Sequence, residues 1–232
     1  MLHAGTSSYS LKEWVGRFYP PKTPSREYLR FFASRIRTVE INYTFRRFPR
    51  SSAATAWAAE TPEDFRFSFK MHQSVTHIAR LKGVGGSVDD FIKALDPLGQ
   101  RLGVVLFQLP PSLELDIGRL EKVLDELPPQ KRFAFEFRHP SWSHPDVIGL
   151  LRRRGVALCQ AETEISDEAP PVTAPYSYIR IRKEPPYTEE EKGSLRRKVL
   201  EGMKSAQELF IYIKHDKVGL APEVAEELQS LG

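Results

Sequence analysis

Short stretches of alternating apolar and polar positions recur along the chain. Each is rich in β-branched and aromatic residues and runs out into polar or charged ones, the pattern of a half-buried strand. Eight such segments stand out: Leu2 to Ser7, Thr38 to Asn42, Phe65 to Met71, Gly103 to Leu109, Arg132 to Arg138, Val156 to Ala161, Tyr176 to Arg182, and Leu209 to Lys214. Most of the gaps between them carry helical spacing behind a recognisable start. Thr23-Pro24 precedes Tyr28, Leu29, Phe32 and Ile36; Ser87 with Asp90 resembles a capping box before Phe91 and Leu95; Asp116 opens Leu120, Val123, Leu124 and Leu127. Ser143 with Asp146 opens Val147, Leu150 and Leu151, with Gly155 placed to close that helix, and Thr188 with Glu191 starts the run containing Leu195, Val199 and Met203.

Strands alternating with helices call for parallel pairing through right-handed crossovers. Spreading 232 residues over eight units gives about 29 residues each, the spacing of a (β/α)8 barrel. An open doubly wound sheet shares the alternation, but it usually has fewer strands, and the Gly-rich phosphate fingerprint after the first strand is missing. The expectation is an α/β protein with a single TIM-type (β/α)8 barrel domain over residues 1–232. The stretch Glu162 to Pro175 is Pro-rich (Pro170, Pro171, Pro175) and lacks helical spacing, so an irregular loop is expected in place of most of the helix after strand six.

Composition narrows the class. Hydrophobic residues make up 41% and charged residues 28%, with a mean hydropathy of −0.40, which fits a folded globular chain and excludes a wholly disordered one. No apolar run reaches the roughly 18 residues of a membrane span, and Met1 to Thr6 lacks the basic start and apolar stretch of a signal peptide. The single cysteine, Cys159, excludes an internal disulfide framework and a multi-cysteine zinc site, and points to the cytoplasm. Lys and Arg total 34 against 30 Asp and Glu, a net charge of +4: enough for an anionic partner, too little to require nucleic acid.

Parity places the chemistry. In a parallel barrel alternate strand residues point inward, and the C-terminal strand ends build the site. Glu40 and Asn42 share a face on strand two, Ser68 and Lys70 on strand three, Leu106 and Gln108 on strand four. Glu136 and Arg138 oppose Phe133, Phe135 and Phe137 on strand five, and Arg180 and Arg182 oppose Ile179 and Ile181 on strand seven. Polar inward residues thus gather where strands exit. They form either a ring of structural ion pairs, such as Glu136 with Arg180 or Lys70, or a functional site.

The blocks Gly5-Thr6-Ser7, Trp14-Val15-Gly16, Phe18-Tyr19-Pro20 and Val39-Glu40-Ile41-Asn42-Tyr43-Thr44-Phe45 resemble the YecE-like family, a domain of unknown function (number 72). So do Phe107-Gln108-Leu109-Pro110-Pro111-Ser112, Glu136-Phe137-Arg138-His139-Pro140-Ser141-Trp142, Tyr178-Ile179-Arg180 and Ala221-Pro222, so the resemblance runs through essentially the whole chain. It implies a TIM-type barrel and supplies no reaction. Two turns depart from it: Arg182-Lys183 stands where many members have His-Gly, and Lys214-His215-Asp216 where many have an asparagine-rich turn.

The residues themselves favour an enzyme acting on a small anionic substrate, phosphorylated or carboxylated. Glu40 and Glu136 are the catalytic candidates, as proton carriers or orienting groups; neighbouring cations should lower their pKa values and favour the orienting role. Lys70, Arg138, Arg180 and Arg182 are the anion holders, because guanidiniums pair bidentately with phosphate or carboxylate, and Asn42, Gln108, His139 and Trp142 complete the candidate site. A retaining glycosidase commonly places its carboxylates on strands four and seven; Gln108 and Arg180 at those exits argue against it.

No cofactor or metal site is expected. The alternative is a divalent metal on some of His77, His139, His215, Glu40, Glu136 and Asp216 in a nuclease or phosphodiesterase, although no HxH or HExxH spacing appears. Nucleic acid could then use the aromatics Tyr9, Trp14, Tyr43, Phe45 and Trp142 together with Arg152-Arg153-Arg154 and Arg196-Arg197-Lys198, whose plainer reading is loop packing and solvated helix faces. Gly83 to Ser87 could cradle a phosphate, although Asp89 and Asp90 would repel it. A non-catalytic ligand-binding scaffold is the remaining reading, and the oligomeric state is left open.

Overall fold

A computed structural model describes residues 1–169 and 171–232; Pro170 of the Pro-rich stretch lies outside the described residues. Eight parallel strands close into a barrel in sequence order. They are β1 (Leu2–Thr6), β2 (Thr38–Ile41), β3 (Arg66–Lys70), β4 (Leu102–Gln108), β5 (Arg132–Glu136), β6 (Ala157–Glu162), β7 (Tyr176–Ile181) and β8 (Glu208–Ile213). Closure removes every sheet edge. The helices are α1 (Tyr28–Arg35), α2 (Ser51–Glu60), α3 (Gly85–Leu95), α4 (Ile117–Glu126), α5 (Pro145–Arg154), α6 (Glu189–Ser205) and α7 (Leu220–Gln229). The described residues between β6 and β7 form no helix, as the Pro-rich stretch predicted.

Three of the helix boundaries follow the chemistry read from sequence. Asp116 accepts the Arg119 N–H, Thr188 and Glu191 cap each other reciprocally, and Gly155 closes α5 in the left-handed conformation (φ 61°). Two differ. α5 is capped by the His144 ring, which accepts the Asp146 N–H, in place of Ser143; α3 starts at Gly85, before Ser87, with no side-chain cap.

The core has two layers. Between barrel and helices lie Phe32 of α1 and, on the outward parity of the strand segments, Phe65, Phe67, Phe69, Phe107, Phe133 and Phe135. Inside the barrel lie Val104, Leu106, Ala134, Ala157, Tyr178, Phe210 and Tyr212, the inward parity. Polar groups in the middle of the interior are matched: the Tyr212 hydroxyl meets Thr38 Oγ1 at 2.7 Å and Ser68 Oγ at 2.8 Å, and Ser68 Oγ accepts the Val104 N–H at 3.1 Å.

At the N-terminal end of the barrel Glu208 joins His3 Nε2 at 3.0 Å and Arg132 Nη1 at 2.7 Å. The His3 hydrogen bond, with Arg132 beside it, holds the Glu208 carboxyl down at about 2. A carboxyl held below its ordinary value stabilises the fold above that value and loses the contribution as pH falls toward the folded one. Urea unfolding of Glu208→Gln is therefore expected to show lower stability at pH 7, with the gap to wild type closing between about pH 4 and pH 2. A gap of constant size across that range would contradict this reading.

Candidate functional site

The strands place eight of the sequence-predicted residues at one rim. Glu40, Lys70, Gln108, Glu136 and Arg180 stand on inward positions at the C-terminal ends of β2, β3, β4, β5 and β7; Asn42, Arg138 and Arg182 follow just beyond. Register fixes their neighbours: Gln108 pairs with Glu136, and Arg180 lies level with Tyr212.

Arg180 is the hub of the lower tier. Its Nε meets Glu40 Oε1 at 2.8 Å, Nη2 meets Glu40 Oε2 at 2.9 Å and Asn42 Oδ1 at 3.3 Å, and Nη1 meets Glu136 Oε2 at 2.6 Å. Glu40 also accepts the Tyr178 hydroxyl at 2.9 Å and Asn42 Nδ2 at 2.6 Å, and it is completely buried. Burial works against the Arg180 charge, but Glu40 and Glu136 outweigh it and raise its pKa further. Burial would likewise push Glu136 up, yet Arg180 and Arg138 outweigh that and hold its carboxyl below the usual range. These charges hold one another. Arg180, expected among the anion holders, is 3% exposed with each side-chain nitrogen engaged, and the two carboxylates are enclosed with it.

The upper tier is less committed. Arg138 uses Nε on Glu136 Oε1 (2.9 Å), and its two Nη nitrogens have no partner among the described residues. Arg182, half-buried, makes no side-chain hydrogen bond or ion pair among the described residues, and burial with Arg180 nearby lowers its pKa. Lys70 Nζ donates to Gln108 Oε1 at 2.6 Å and lies 4.0 Å from the centre of the Phe45 ring. That ring is delivered by the turn Tyr43–Phe45, which Thr44 Oγ1 pins to the Lys70 carbonyl at 2.7 Å. Burial first, and Arg180 and Arg138 next, bring Lys70 down to about 8, although Glu136 and Glu40 pull the other way. Four cations against two carboxylates (Lys70, Arg138, Arg180, Arg182; Glu40, Glu136) leave an excess of about two positive charges at the rim.

Of the other candidates, His139 and Trp142 line a cleft together with Arg138, while His77, Trp14 and Asp216 are engaged in the surrounding loops. His139 caps the turn Pro140–Trp142, its Nδ1 meeting Ser141 Oγ at 2.8 Å; His77 bonds Thr76 and stands edge-on to Phe45. Trp142 is buried, stacked on Phe137 at 4.4 Å, with its N–H on the Leu113 carbonyl. Trp14 is also sealed in, bonded to the Asp216 carbonyl, so these two aromatics pack the loops. Asp216 caps the start of α7, accepting the Val218 and Ala221 N–H groups at 2.6 Å each. No three of the described His, Cys, Asp and Glu residues gather into a group fit for a metal, and Arg180 occupies the space between Glu40 and Glu136.

At the glycine segment, a Cβ on Gly85 would lie 2.8 Å from Glu126 Oε2, so a carboxylate crowds the place offered for a phosphate. The basic run on α6 is a solvated face at Arg196 and Arg197, which are exposed and paired with Glu227 and Asp167, but not at Lys198, which is completely buried.

A cleft of about 420 Å³ adjoins this rim, lined by residues that include Phe137, Arg138, Leu158, Cys159, Gln160 and Glu168. Its β6 residues escaped the sequence reading. So did Tyr178, although it shares the inward parity of Arg180.

The family model for the "protein of unknown function DUF72" matches residues 3–232. The UPF0759 protein YecE of Escherichia coli K12 is 31% identical over 143 residues, 61% of this chain and 50% of its own; the UPF0759 protein YunF of Bacillus subtilis is 30% identical over 157 residues, 62% and 53%. The chain thus spans about half the length of the curated relatives it matches. A crystal structure of a DUF72 family protein from Thermotoga maritima superposes with a TM-score of 0.83 at 26% identity, covering 100% of this chain and 98% of that one. A D-psicose 3-epimerase from Clostridium cellulolyticum, at TM-score 0.57 and 10% identity over 98% and 96% of the two chains, shares the barrel alone. No helix among the described residues is long and apolar enough to cross a membrane. With the closed barrel, the strand-exit blocks and a match over residues 3–232 in agreement, the chain belongs to the DUF72 family.

Proposed function

We propose that this protein is a barrel enzyme for a small phosphorylated or carboxylated substrate, bound at the C-terminal rim by Lys70, Arg138 and Arg182. The observation that carries the reading is the division of the rim into two tiers. Arg180 with Glu40 and Glu136 is a closed ion-paired floor, whereas the cations above it keep donors to offer. Charge-assisted bonds from such donors are the strong ones for phosphate and carboxylate oxygens. Glu136 orients Arg138, Gln108 orients Lys70, and Asn42 braces the floor. Lys70, brought down to about 8, is the group suited to giving or taking a proton near neutral pH. The lone buried Cys159 fits a cytoplasmic setting, its thiol raised by burial and unreactive. The paired arginines of α6 and the guanidinium between the two carboxylates give the nuclease reading no comparable support.

Sulfate, a dianion across pH 6–10, tests this by calorimetric titration. Binding is expected to weaken as pH rises through about 8, where Lys70 loses its charge. Lys70→Met should bind more weakly and without that pH dependence, and Arg138→Gln should lose about tenfold in affinity. Sulfate binding indifferent to both substitutions would sink the proposal.

A further inference from the structure

The cleft beside Arg138 sits where a barrel normally packs its sixth helix. Strand parity sends Leu158 and Gln160 of β6, and Phe137 after β5, to the outer side, the side a helix after β6 would cover. The described residues between β6 and β7 form an irregular loop instead, and the loop stands off enough to leave about 420 Å³ between itself and that surface. Phe137 and Leu158 give the cleft apolar walls, while the Cys159 thiol, of the opposite parity, packs inside the barrel.

Two features tie the cleft to the rim. Arg138 belongs to both: its Nε is fixed on Glu136 while its Nη nitrogens have no partner among the described residues. An anion on those nitrogens stands at the cleft's edge. The second is Gln160, whose Nε2 donates to Glu162 and to the Glu168 carbonyl at 3.0 Å. Those two acceptors fix the amide orientation, and its Oε1 is left buried with no donor. A buried acceptor without a donor costs free energy that a ligand hydroxyl or amine reaching it would restore.

We infer that this cleft is the subsite for the organic body of the substrate whose anionic group Arg138 and Lys70 hold. The ligand class is an organic phosphate or carboxylate with a compact, flat, mainly apolar body carrying one hydrogen-bond donor. This rests on the anion reading above and adds to it the carbon part of the ligand. Ligand sites of this kind are typically concave, mainly apolar and provided with few polar groups.

The test compares inorganic phosphate with phenyl phosphate, by calorimetry on the full chain, in wild type, Leu158→Trp and the milder Leu158→Phe. Phenyl phosphate is expected to bind about tenfold or more tightly than inorganic phosphate in the wild type, from burial of the ring. Leu158→Trp should erase that advantage and leave inorganic phosphate unchanged; Leu158→Phe should reduce it, which serves if the larger residue unfolds the protein. Equal affinity for the two ligands, or an advantage that survives both substitutions, overturns the cleft assignment while the anion site stands. Failure of both ligands to bind overturns the anion site and the cleft with it.

Discussion

Arg180→Met is expected to cost about 3–5 kcal/mol of stability, because it strands two carboxylates whose charge the guanidinium balances. Glu40 and Glu136 are 0% and 2% exposed, so water cannot take over from the lost partner. Asn42 and the Tyr178 hydroxyl remain on Glu40 and Arg138 remains on Glu136, which keeps the loss from rising further. For a chain this long the melting temperature should fall by roughly 10 °C. The pH dependence gives the sign. Without Arg180 the main influence that offsets burial at Glu136 is gone and its protonated form is favoured, so the deficit should narrow as pH falls into the acid range. Adding Glu40→Gln and Glu136→Gln should recover much of the loss at pH 7, since the buried charge goes with its partner. Arg180→Lys should not, because one ammonium cannot bridge both carboxylates in the geometry of a planar fork. An Arg180→Met protein that melts within about 2 °C of wild type would show that the pairing contributes no structural energy.

That experiment separates what the sequence could reveal from what it could not. Strand alternation reveals the eight strands and sends Glu40, Glu136, Arg138 and Arg180 to one rim, since inward parity is a local property of each strand. It cannot tell that Arg180 is consumed while Arg138 and Arg182 keep donors without partners among the described residues, because the allocation depends on distances across the barrel. Two helices were also silent. In α2 the apolar positions are mostly alanine, with Trp57 as the single large residue, so no stripe marks its buried face. α7 begins from an aspartate that the local pattern presents as one more charge: Asp216 caps it from five residues away, through a turn at Gly219. The signal lies in Asp216 followed by Gly219 and Pro222, a helix start that the family pattern presents only as a departure. Lys198 was hidden in the same way, by two exposed arginines before it.

Lys198→Met is the other large effect, and it bears on the loop that stands in for the missing helix. From α6 the Lys198 ammonium, completely buried, bonds the Glu162 carboxylate, reaches Ser166 Oγ at 3.3 Å and donates to the Glu168 carbonyl at 2.6 Å. The same Glu168 carbonyl accepts Gln160 Nε2, so one loop residue is tied to both β6 and α6. Methionine fills comparable volume but leaves the 8% exposed Glu162 without its counter-charge and the Glu168 carbonyl with one donor fewer. A loss of about 3–4 kcal/mol is expected, measured by urea unfolding. Hydrogen exchange should accelerate more over residues 163–169 than in the barrel strands, because the tether fails locally before the barrel opens. The additional Glu162→Gln substitution should restore part of the global stability without restoring the slow exchange, since it removes the stranded charge and leaves the carbonyl untethered. Unchanged exchange in the loop would mean that the Arg197–Asp167 pair and backbone contacts hold it alone, and that the buried lysine serves α6 rather than the cleft wall.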